Sequence, residues 1–312
     1  MILVPITYRG GIYRHNEIVD LIEDIGGYIV QKQVIASEVV LLCFVPQEDV
    51  DLLRTAAKPL GAEVIDSPLV GTEIAVVIPS LEIHHLPHPA CDVAEYLRRL
   101  GAKSNMVGLA RGPGKRIAAL NDEERDVINE HDVAVYVLGN FEKCIEYKMP
   151  VLRRGIDVPI VLCGGPDKEA LQRITNPPLD GYVGNVGRFM HRTKESDELA
   201  KLDEIILEIT RVLEKKRISI AKDPLSVSPA RLMDLMKEQV PEILDVTSPT
   251  PLTVQMDGLR LKLPYDTFAG KIRAIEIEDG IKVGDVSELT PSRMRDYILL
   301  RIRPFSETNV VV

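Results

Sequence analysis

The chain has 312 residues, of which 45% are apolar and 27% are charged, the balance of an ordinary globular protein. This composition excludes a disordered chain, and the length is that of two or three domains. Its 38 basic and 47 acidic residues leave a net charge of −9, which argues against nucleic acid or an anionic membrane as the main partner. With neither a long apolar run nor a signal peptide in the sequence, we expect a cytoplasmic protein without a membrane partner.

Residues 1–67 predict a unit of four strands and two helices. The expected elements, in chain order, are strand 2–6, helix 17–25, strands 28–35 and 38–45, helix 48–60 and strand 62–65. Gly26 and Gly27 end the first helix with residues that tolerate positive φ. This order is that of the ferredoxin-like split βαβ fold. Cys43, inside an apolar strand, is expected to be a small buried residue.

Residues 68–192 alternate between apolar strands and helices, which is typical of a parallel α/β sheet. The expected strands are 74–78, 104–109, 133–138, 158–162 and 181–184. Only 4% of the residues are aromatic, so Val, Ile and Leu are expected to form the buried sheet. The pattern predicts a Rossmann-like or flavodoxin-like domain, in which ligands bind beyond the carboxyl ends of the strands.

The remainder of the chain divides into two parts. Residues 193–240 predict a helical connector, and residues 241–312 predict a small β-rich domain. Within the latter, the stretch 252–283 is interpreted as short strands, with hairpin turns at 257–258 and 279–280. The predicted fold class is therefore α/β, with a ferredoxin-like α+β unit first, a Rossmann-like domain in the middle, and a helical plus β-rich region last.

The loop after the first central strand carries three histidines and a cysteine: His84, His85, His88 and Cys91. Pro87 and Pro89 stiffen this loop. Cys91 is expected in the first turn of the next helix, where the helix dipole favours a thiolate. Imidazole and thiolate suit zinc, iron or an iron–sulfur cluster, although no zinc-finger spacing is present. The alternative is a polar loop with incidental histidines.

The loop after the second central strand is rich in glycine and basic residues, among them Arg111, Gly112 and Gly114. It fails the P-loop pattern twice, because Leu109 stands where the first glycine is needed and Arg116 where Ser or Thr is needed. We therefore expect no nucleotide on this chain. The loop is suited to bind an anion or an acidic surface, with a plain solvated turn as the alternative.

Two further cysteines follow strands of the same sheet. Cys144 lies just after Gly139 and Asn140, in the expected first turn of a helix, and Cys163 ends the next strand. Because the carboxyl ends of parallel strands meet at one edge, these residues and Cys91 can converge there. For each cysteine the alternative is an inert core residue. The four cysteines include no CxxC pair, which argues against a cluster held by this chain alone.

Several segments resemble the methanogenesis marker protein 7 family. The most specific is 84–98, which reads HHLPHPACDVAEYLR. The others are 12–15, 72–77, 105–112, 137–144 and 164–166. The resemblance covers nearly the whole chain.

This resemblance implies a protein of methane-metabolising archaea that works with methyl-coenzyme M reductase. The family belongs to the assembly that reduces the nickel cofactor of the reductase to Ni(I) in an ATP-dependent reaction. The implied partners are the reductase, the reductase operon protein C, other methanogenesis marker proteins and an ATP-hydrolysing component. The resemblance also implies iron–sulfur clusters related to nitrogenase cofactor precursors.

We therefore predict an accessory electron-transfer subunit without independent enzyme activity and without catalytic residues of its own. In this hypothesis Cys91 and Cys144, with one of the three histidines, ligate or flank an iron–sulfur cluster shared with a partner subunit. The residues expected to surround the cofactor are Cys163, Gly139, Asn140, Arg111, Gly112 and Gly114. Two alternatives stay open. One is a stand-alone zinc or iron metalloenzyme that uses the loop 84–91, and the other is a structural scaffold that docks the reductase.

Overall fold

A computed structural model of the chain describes residues 3–78, 87–109, 120–138, 142–172, 179–186, 195–248 and 250–312. The first unit contains β1 (Leu3–Gly11), α1 (His15–Asp24), β2 (Tyr28–Ile35), β3 (Glu38–Pro46), α2 (Val50–Ala57) and β4 (Glu63–Asp66). Its four strands form an antiparallel sheet in the order β2-β3-β1-β4. Apolar residues of α1 and α2, including Ile22 and Leu53, pack on one face of that sheet. This is the predicted ferredoxin-like arrangement.

Two glycines, Gly26 and Gly27, end helix α1. The amide of Gly26 donates to the carbonyl of Glu23, and the amide of Gly27 donates to that of Ile22. Gly26 has a φ of 75°, a conformation that favours glycine. The two hydrogen bonds make a Schellman motif, so the helix ends where the sequence predicted.

The central unit is a five-stranded parallel sheet in the order β6-β5-β7-β8-β9. Its elements are β5 (Glu73–Ile78), α3 (Pro87–Arg99), β6 (Lys103–Gly108), α4 (Asp122–Asn129), β7 (Val133–Val137), α5 (Glu142–Leu152), β8 (Ile160–Cys163), α6 (Lys168–Gln172), β9 (Gly181–Val183) and α7 (Glu195–Lys222). Helices α3 and α7 cover one face, and α4, α5 and α6 cover the other. The predicted parallel α/β fold is confirmed, and its strand order is the flavodoxin-like one.

Helix α7 belongs physically to the central unit. Its residues Leu202, Ile205 and Ile209 share a core cluster with Val161 and Val183 of the parallel sheet. The region expected to be a connector therefore begins with a helix that packs on the sheet. Of the described residues, no helix is both long and apolar enough to cross a membrane.

The last unit combines helices with antiparallel strands. It contains α8 (Pro229–Gln239), β10 (Leu252–Gln255), β11 (Gly258–Leu261), α9 (Tyr265–Arg273), β12 (Glu276–Glu278), β13 (Ile281–Lys282), α10 (Val283–Val286), β14 (Ser287–Pro291), β15 (Ile298–Ile302) and α11 (Phe305–Thr308). One sheet has the order β10-β11-β15-β14, and β12 pairs with β13. Asp279 and Gly280 join that pair with φ values of 50° and 80°, as a type I′ turn requires.

The strands predicted around residues 257–258 and 279–280 are present as β10–β11 and β12–β13, but helix α9 lies between the two pairs, where only short strands were expected. This helix has only two buried side chains, Ala269 and Ile272. So short an apolar face gives little helical periodicity to recognise in the sequence.

A buried ionic network joins the last unit to the amino-terminal end of the parallel sheet. Arg260 of β11 donates from Nε to Glu73 Oε2 at 3.0 Å and from Nη1 to Glu130 Oε2 at 2.6 Å. The side chains of Arg260 and Glu73 are 2% and 1% exposed. Asp132, also buried, accepts from Lys216 of α7 at 2.9 Å and from the amide of Met256 at 3.1 Å. The network therefore fixes the C-terminal unit to the end of the sheet opposite the predicted site.

His131 lies inside this network as a neutral imidazole. Its Nε2 is 3.0 Å from Asn105 Nδ2, a donor, and its Nδ1 is 2.8 Å from the carbonyl oxygen of Val127, an acceptor. The ring accepts at Nε2 and donates at Nδ1, a tautomer assigned from these partners. Burial lowers the pKa of His131, and the nearby Glu73 carboxylate opposes that effect without overcoming it.

Candidate functional site

The strands that precede the predicted site end at one level of the parallel sheet. Ile78, the last residue of β5, lies opposite Gly108, the last residue of β6. Val137 of β7 lies opposite Cys163 of β8 in the same way. The amide of Leu138 continues this pattern by donating to the carbonyl of Cys163 at 2.9 Å. The loops that carry the predicted residues therefore leave the same edge of the sheet.

The order of strands places a topological switch point at the middle of this edge. Strand β5 has β6 on one side and β7 on the other, so successive connections diverge between β5 and β7. Helix α3, which follows β5, covers one face, whereas α5, which follows β7, covers the other. In open parallel sheets, ligands bind at such a topological switch point. The histidine loop follows β5, and Gly139 and Asn140 follow β7.

Most of the predicted site residues lie outside the described part of the chain. They are His84, His85, Arg111, Gly112, Gly114, Gly139 and Asn140. The side chains of His88 and Cys144 also lie outside it, although α3 and α5 place their backbone beyond β5 and β7. The assignment of these residues to a cofactor or metal site stays a prediction.

Cys91 lies in α3, but not in its first turn as expected. The helix begins at Pro87, so Cys91 is its fifth residue. Prolines at 87 and 89 fit the first helical turn, because amides there have no acceptor within the helix. Since the partial charge of a helix terminus falls off within the first turn, the reason for expecting a thiolate at Cys91 is weakened.

The direction of the Cys91 side chain follows from the apolar face of α3. Ala90, Val93, Ala94 and Leu97 are buried against the parallel sheet, at helical spacing. Cys91 falls between these positions and is exposed. This thiol is therefore accessible to a partner or a ligand outside the chain.

Cys163 has the opposite environment. It is fully buried and belongs to the same core cluster as Val137 and Val183. Burial, assisted by the carboxylates of Glu204 and Glu208, raises the pKa of Cys163 to about 12. The thiol is thus protonated and enclosed, and it becomes available to a cofactor only if this end of β8 opens.

The residues after β8 hold that strand end in place. The amide of Gly164 donates to the carbonyl of Val183 at 3.1 Å, and the amide of Val186 donates to the carbonyl of Gly164 at 3.0 Å. The hydroxyl of Tyr182 donates to the carbonyl of Pro166 at 2.5 Å. These hydrogen bonds hold the chain beside Cys163 in place and keep its thiol enclosed.

The described residues do not assemble a complete metal site. Among them, no group of three or more His, Cys, Asp or Glu side chains is placed to hold a metal ion. Among the residues predicted to bind or surround a cofactor, Cys91 and Cys163 have side chains that the structure describes. Cys91 is exposed, whereas Cys163 is buried. A full ligand set at this edge requires residues beyond those described, or a partner chain.

One basic residue at this edge escaped the prediction. Lys201 of α7 donates from Nζ to the carbonyl of Gly184, just after β9, at 3.2 Å. It also forms an ion pair with Glu204. It was missed because residues 193–240 were expected to form a helical connector, and no contact with this edge was predicted for them.

Comparison with known proteins finds a matching protein family and relatives from Methanocaldococcus jannaschii. Its residues 3–275 match the family model of methyl-coenzyme M reductase operon protein C. An uncharacterised protein of Methanocaldococcus jannaschii, MJ0094, is 44% identical over 302 residues, which cover 97% of this chain and 94% of that protein. Methyl-coenzyme M reductase I operon protein C of the same organism is 27% identical over 158 residues, 44% of this chain and 78% of that protein.

A similarity to solved structures is much weaker. The sugar isomerase domain of an RpiR transcription factor from Sphaerobacter thermophilus has 14% identity and a TM-score of 0.27 and covers 56% of this chain and 86% of that one. The family match covers the first unit, the parallel sheet and the start of the last unit, and the chain therefore belongs to the methyl-coenzyme M reductase operon protein C family.

Proposed function

We propose that this chain works in the methyl-coenzyme M reductase system, as a subunit of the assembly that reductively activates the reductase. Family membership over residues 3–275 is the observation that carries this proposal. The segment 84–98 supports the narrower assignment to the methanogenesis marker protein 7 family. The proposed partners are the reductase, operon protein C, other marker proteins and an ATP-hydrolysing component.

Within that assembly, the chain contributes ligands or surroundings to an iron–sulfur cluster at a subunit interface. Such a cluster, when bound, supplies one-electron transfer at low potential. Of the described cysteines at the sheet edge, Cys91 fits a shared ligand, because its thiol is exposed on α3. Cys163 in its present conformation does not fit, because its thiol is enclosed and protonated. These donors favour a cluster completed by a partner over one enclosed in this chain.

ATP hydrolysis is assigned to a partner. The glycine-rich loop of residues 108–116 departs from the P-loop pattern at both ends. We expect the isolated chain to show no ATPase activity, and turnover of ATP by it alone would contradict this assignment.

The test uses the assembly purified from a methanogen through a tag on this chain. Iron and acid-labile sulfide are measured per complex for the wild type, for Cys91→Ala and for Cys43→Ala. We expect less iron and sulfide with Cys91→Ala, because a ligand is lost at the interface. Cys43 is the matched control, since its buried thiol lies 3.7 Å from the carbonyl oxygen of Ile6 in the ferredoxin-like sheet, outside the parallel sheet.

The possible outcomes separate the role of Cys91 from the role of the chain. If Cys91→Ala leaves the assembly intact with unchanged iron and sulfide, Cys91 is not a ligand and the scaffold alternative is favoured. If the tagged wild-type chain retrieves neither the reductase nor its associated proteins, the proposed system is wrong. Metal bound by the isolated chain, together with turnover, would favour the metalloenzyme alternative.

A further inference from the structure

A cavity of about 150 Å³ lies where the three units of the chain meet. Its walls come from β2 and β3 of the first sheet, from the start of β6, and from α8 and β10 of the last unit. Apolar side chains make most of the wall, and its polar residues include Lys103, Lys237 and Thr250. Its lining includes Val30, Leu42, Lys103, Met233, Thr250 and Leu252.

Lys103, which lines the cavity, meets a second lysine, Lys262, at the hydroxyl group of Thr250, another residue of the cavity wall. Lys103 donates from Nζ to Thr250 Oγ1 at 3.1 Å, and Lys262 donates to the same oxygen at 3.4 Å. Lys262 also donates to Ser248 Oγ at 2.6 Å. Because the Nζ atoms of Lys103 and Lys262 both contact Thr250 Oγ1, the distance between them cannot exceed the sum of their two distances to that oxygen. Two like charges are thus held close together, with two hydroxyl groups beside them.

These charges have no acidic counterpart in direct contact. No Asp or Glu of the described residues lies within 4.0 Å of Lys103 Nζ or Lys262 Nζ. Glu73 is the acidic group that acts on both from farther away, but its oxygens already accept from Arg260 and Gln255. Nearby arginines add positive charge, Arg98 beside Lys103 and Arg295 beside Lys262.

The protonation equilibria of the two lysines agree with this excess of positive charge. Burial lowers the pKa of Lys103, and burial together with the charge of Lys103 lowers the pKa of Lys262. An anion placed between the two ammonium groups would reverse both effects. In a protein with a net charge of −9, such a local excess of cations is unusual.

We propose that this cavity binds a small phosphate monoester with a short aliphatic group. A phosphate dianion neutralises both lysines at once, whereas a carboxylate neutralises one. The Ser248 and Thr250 hydroxyls can donate to the remaining phosphate oxygens. The aliphatic group lies against apolar wall residues such as Met233 and Leu252. The volume is below the range of about 300–1,000 Å³ for drug-sized ligands, so the ligand is small.

This site is separate from the edge of the parallel sheet at which the strands have their carboxyl ends. Lys103 is the first residue of β6, whereas Gly108 at its other end borders the predicted cofactor site. Five residue steps at about 3.3 Å each place the two sites about 17 Å apart along the strand. The inference therefore does not depend on the proposed function. Because the walls come from all three units, bound ligand is expected to hold them together.

The test is calorimetric titration of the purified full chain with inorganic phosphate, butyl phosphate and butyrate. We expect butyl phosphate to bind most tightly and to raise the melting temperature, because it is the probe that carries both a phosphate for the lysines and an aliphatic group for the apolar wall. Lys103→Gln and Lys262→Gln are each expected to weaken its binding by about tenfold or more, the effect of losing one charged hydrogen bond. Lys222→Gln, at the exposed end of α7, is the matched control and is expected to bind like the wild type.

Circular dichroism of the ligand-free variants distinguishes lost binding from lost folding. Removing one of two repelling charges is expected to leave the melting temperature equal to or above that of the wild type. Absence of butyl phosphate binding at millimolar concentration overturns the proposal. The proposal is also overturned if the Lys103→Gln/Lys262→Gln double variant binds butyl phosphate as tightly as the wild type does. If the wild type binds butyrate as tightly as butyl phosphate, the choice of a phosphate ligand is wrong.

Discussion

Replacing Arg260 with methionine removes the guanidinium that neutralises two buried carboxylates. In the wild type, burial raises the pKa of Glu73, but the charge of Arg260, the influence of His131 and the hydrogen bonds from Arg260 and Gln255 together outweigh burial, so the pKa lies below its ordinary value. Arg260 also donates to Glu130 Oε2 and to Ser292 Oγ, both at 2.6 Å. Methionine approximates the length of the arginine stem but supplies none of these hydrogen bonds. The variant therefore leaves negative charge enclosed at the junction between units.

The expected loss in the free energy of unfolding is about 3–5 kcal/mol, the usual effect of removing one partner from a buried ion pair. The loss depends on pH. Without Arg260, burial raises the folded-state pKa of Glu73 above its unfolded value of about 4.3. The contribution of a group with a raised folded-state pKa is present below the unfolded pKa and is lost as pH rises through the folded pKa. The deficit is thus expected to be larger at neutral pH than near pH 4.

Urea denaturation followed by far-ultraviolet circular dichroism measures this deficit, since the chain has no tryptophan for fluorescence. Arg54→Met is the matched control, because Arg54 pairs with Asp66 at 2.8 Å on the surface, where both side chains are substantially exposed. Its expected effect is at most about 1 kcal/mol. If Arg260→Met also loses no more than about 1 kcal/mol at neutral pH, the buried network does not secure the C-terminal unit and the reasoning is wrong.

The free energy of unfolding is expected to fall as pH drops below about 6.5, because burial lowers the pKa of His131 and the unfolded chain then binds the extra proton. His131→Gln makes that slope shallower in urea denaturation at a series of pH values, and an unchanged slope would contradict the assignment. Alkylation with iodoacetamide, mapped by peptide mass, is expected to modify the exposed Cys91 while Cys43 and Cys163 stay unmodified, because burial raises the pKa of each of the latter two to about 12. Rapid modification of either buried cysteine in the folded chain would show that its core is open. Gly270→Ala is expected to raise the free energy of unfolding by about 0.5–1 kcal/mol, because a methyl group at this helical position meets open space. A lower melting temperature for that variant would count against the position of α9.

Features encoded by neighbouring residues were predictable from the sequence. The apolar run 133–137 became the fully buried strand β7. Gly26 and Gly27 ended α1 as expected, and the turn at 279–280 formed between β12 and β13. Each of these depends on spacing or on a local backbone requirement, which a single sequence displays.

Contacts between distant residues were not predictable in this way. Arg260 pairs with Glu73 across 187 positions, and Lys103 reaches Thr250 across 147. Nothing near either residue in the sequence indicates its partner. The packing of α7 on the parallel sheet was missed for the same reason, because its apolar residues show a buried face but not which surface covers it.

The candidate site was predictable from the sequence only in part. The rule that ligands bind at the carboxyl ends of parallel strands located the edge from the order of elements alone. The direction of Cys91 was also available from the sequence, because Ala90, Val93, Ala94 and Leu97 follow helical spacing and leave Cys91 outside. The burial of Cys163 depends on β9 and α7 packing around it, which no local pattern reveals.

The ionic junction also bears on the order in which the chain folds during synthesis. The carboxylates of Glu73, Glu130 and Asp132 are made early, whereas Arg260 and the amide of Met256 that meet them emerge from the ribosome more than 120 residues later. Domains generally fold as they are made, from the amino terminus onward. Here the nascent parallel sheet carries the Glu73 and Glu130 carboxylates without their arginine partner until the last unit arrives, so the final part of the chain completes a domain that began near residue 73.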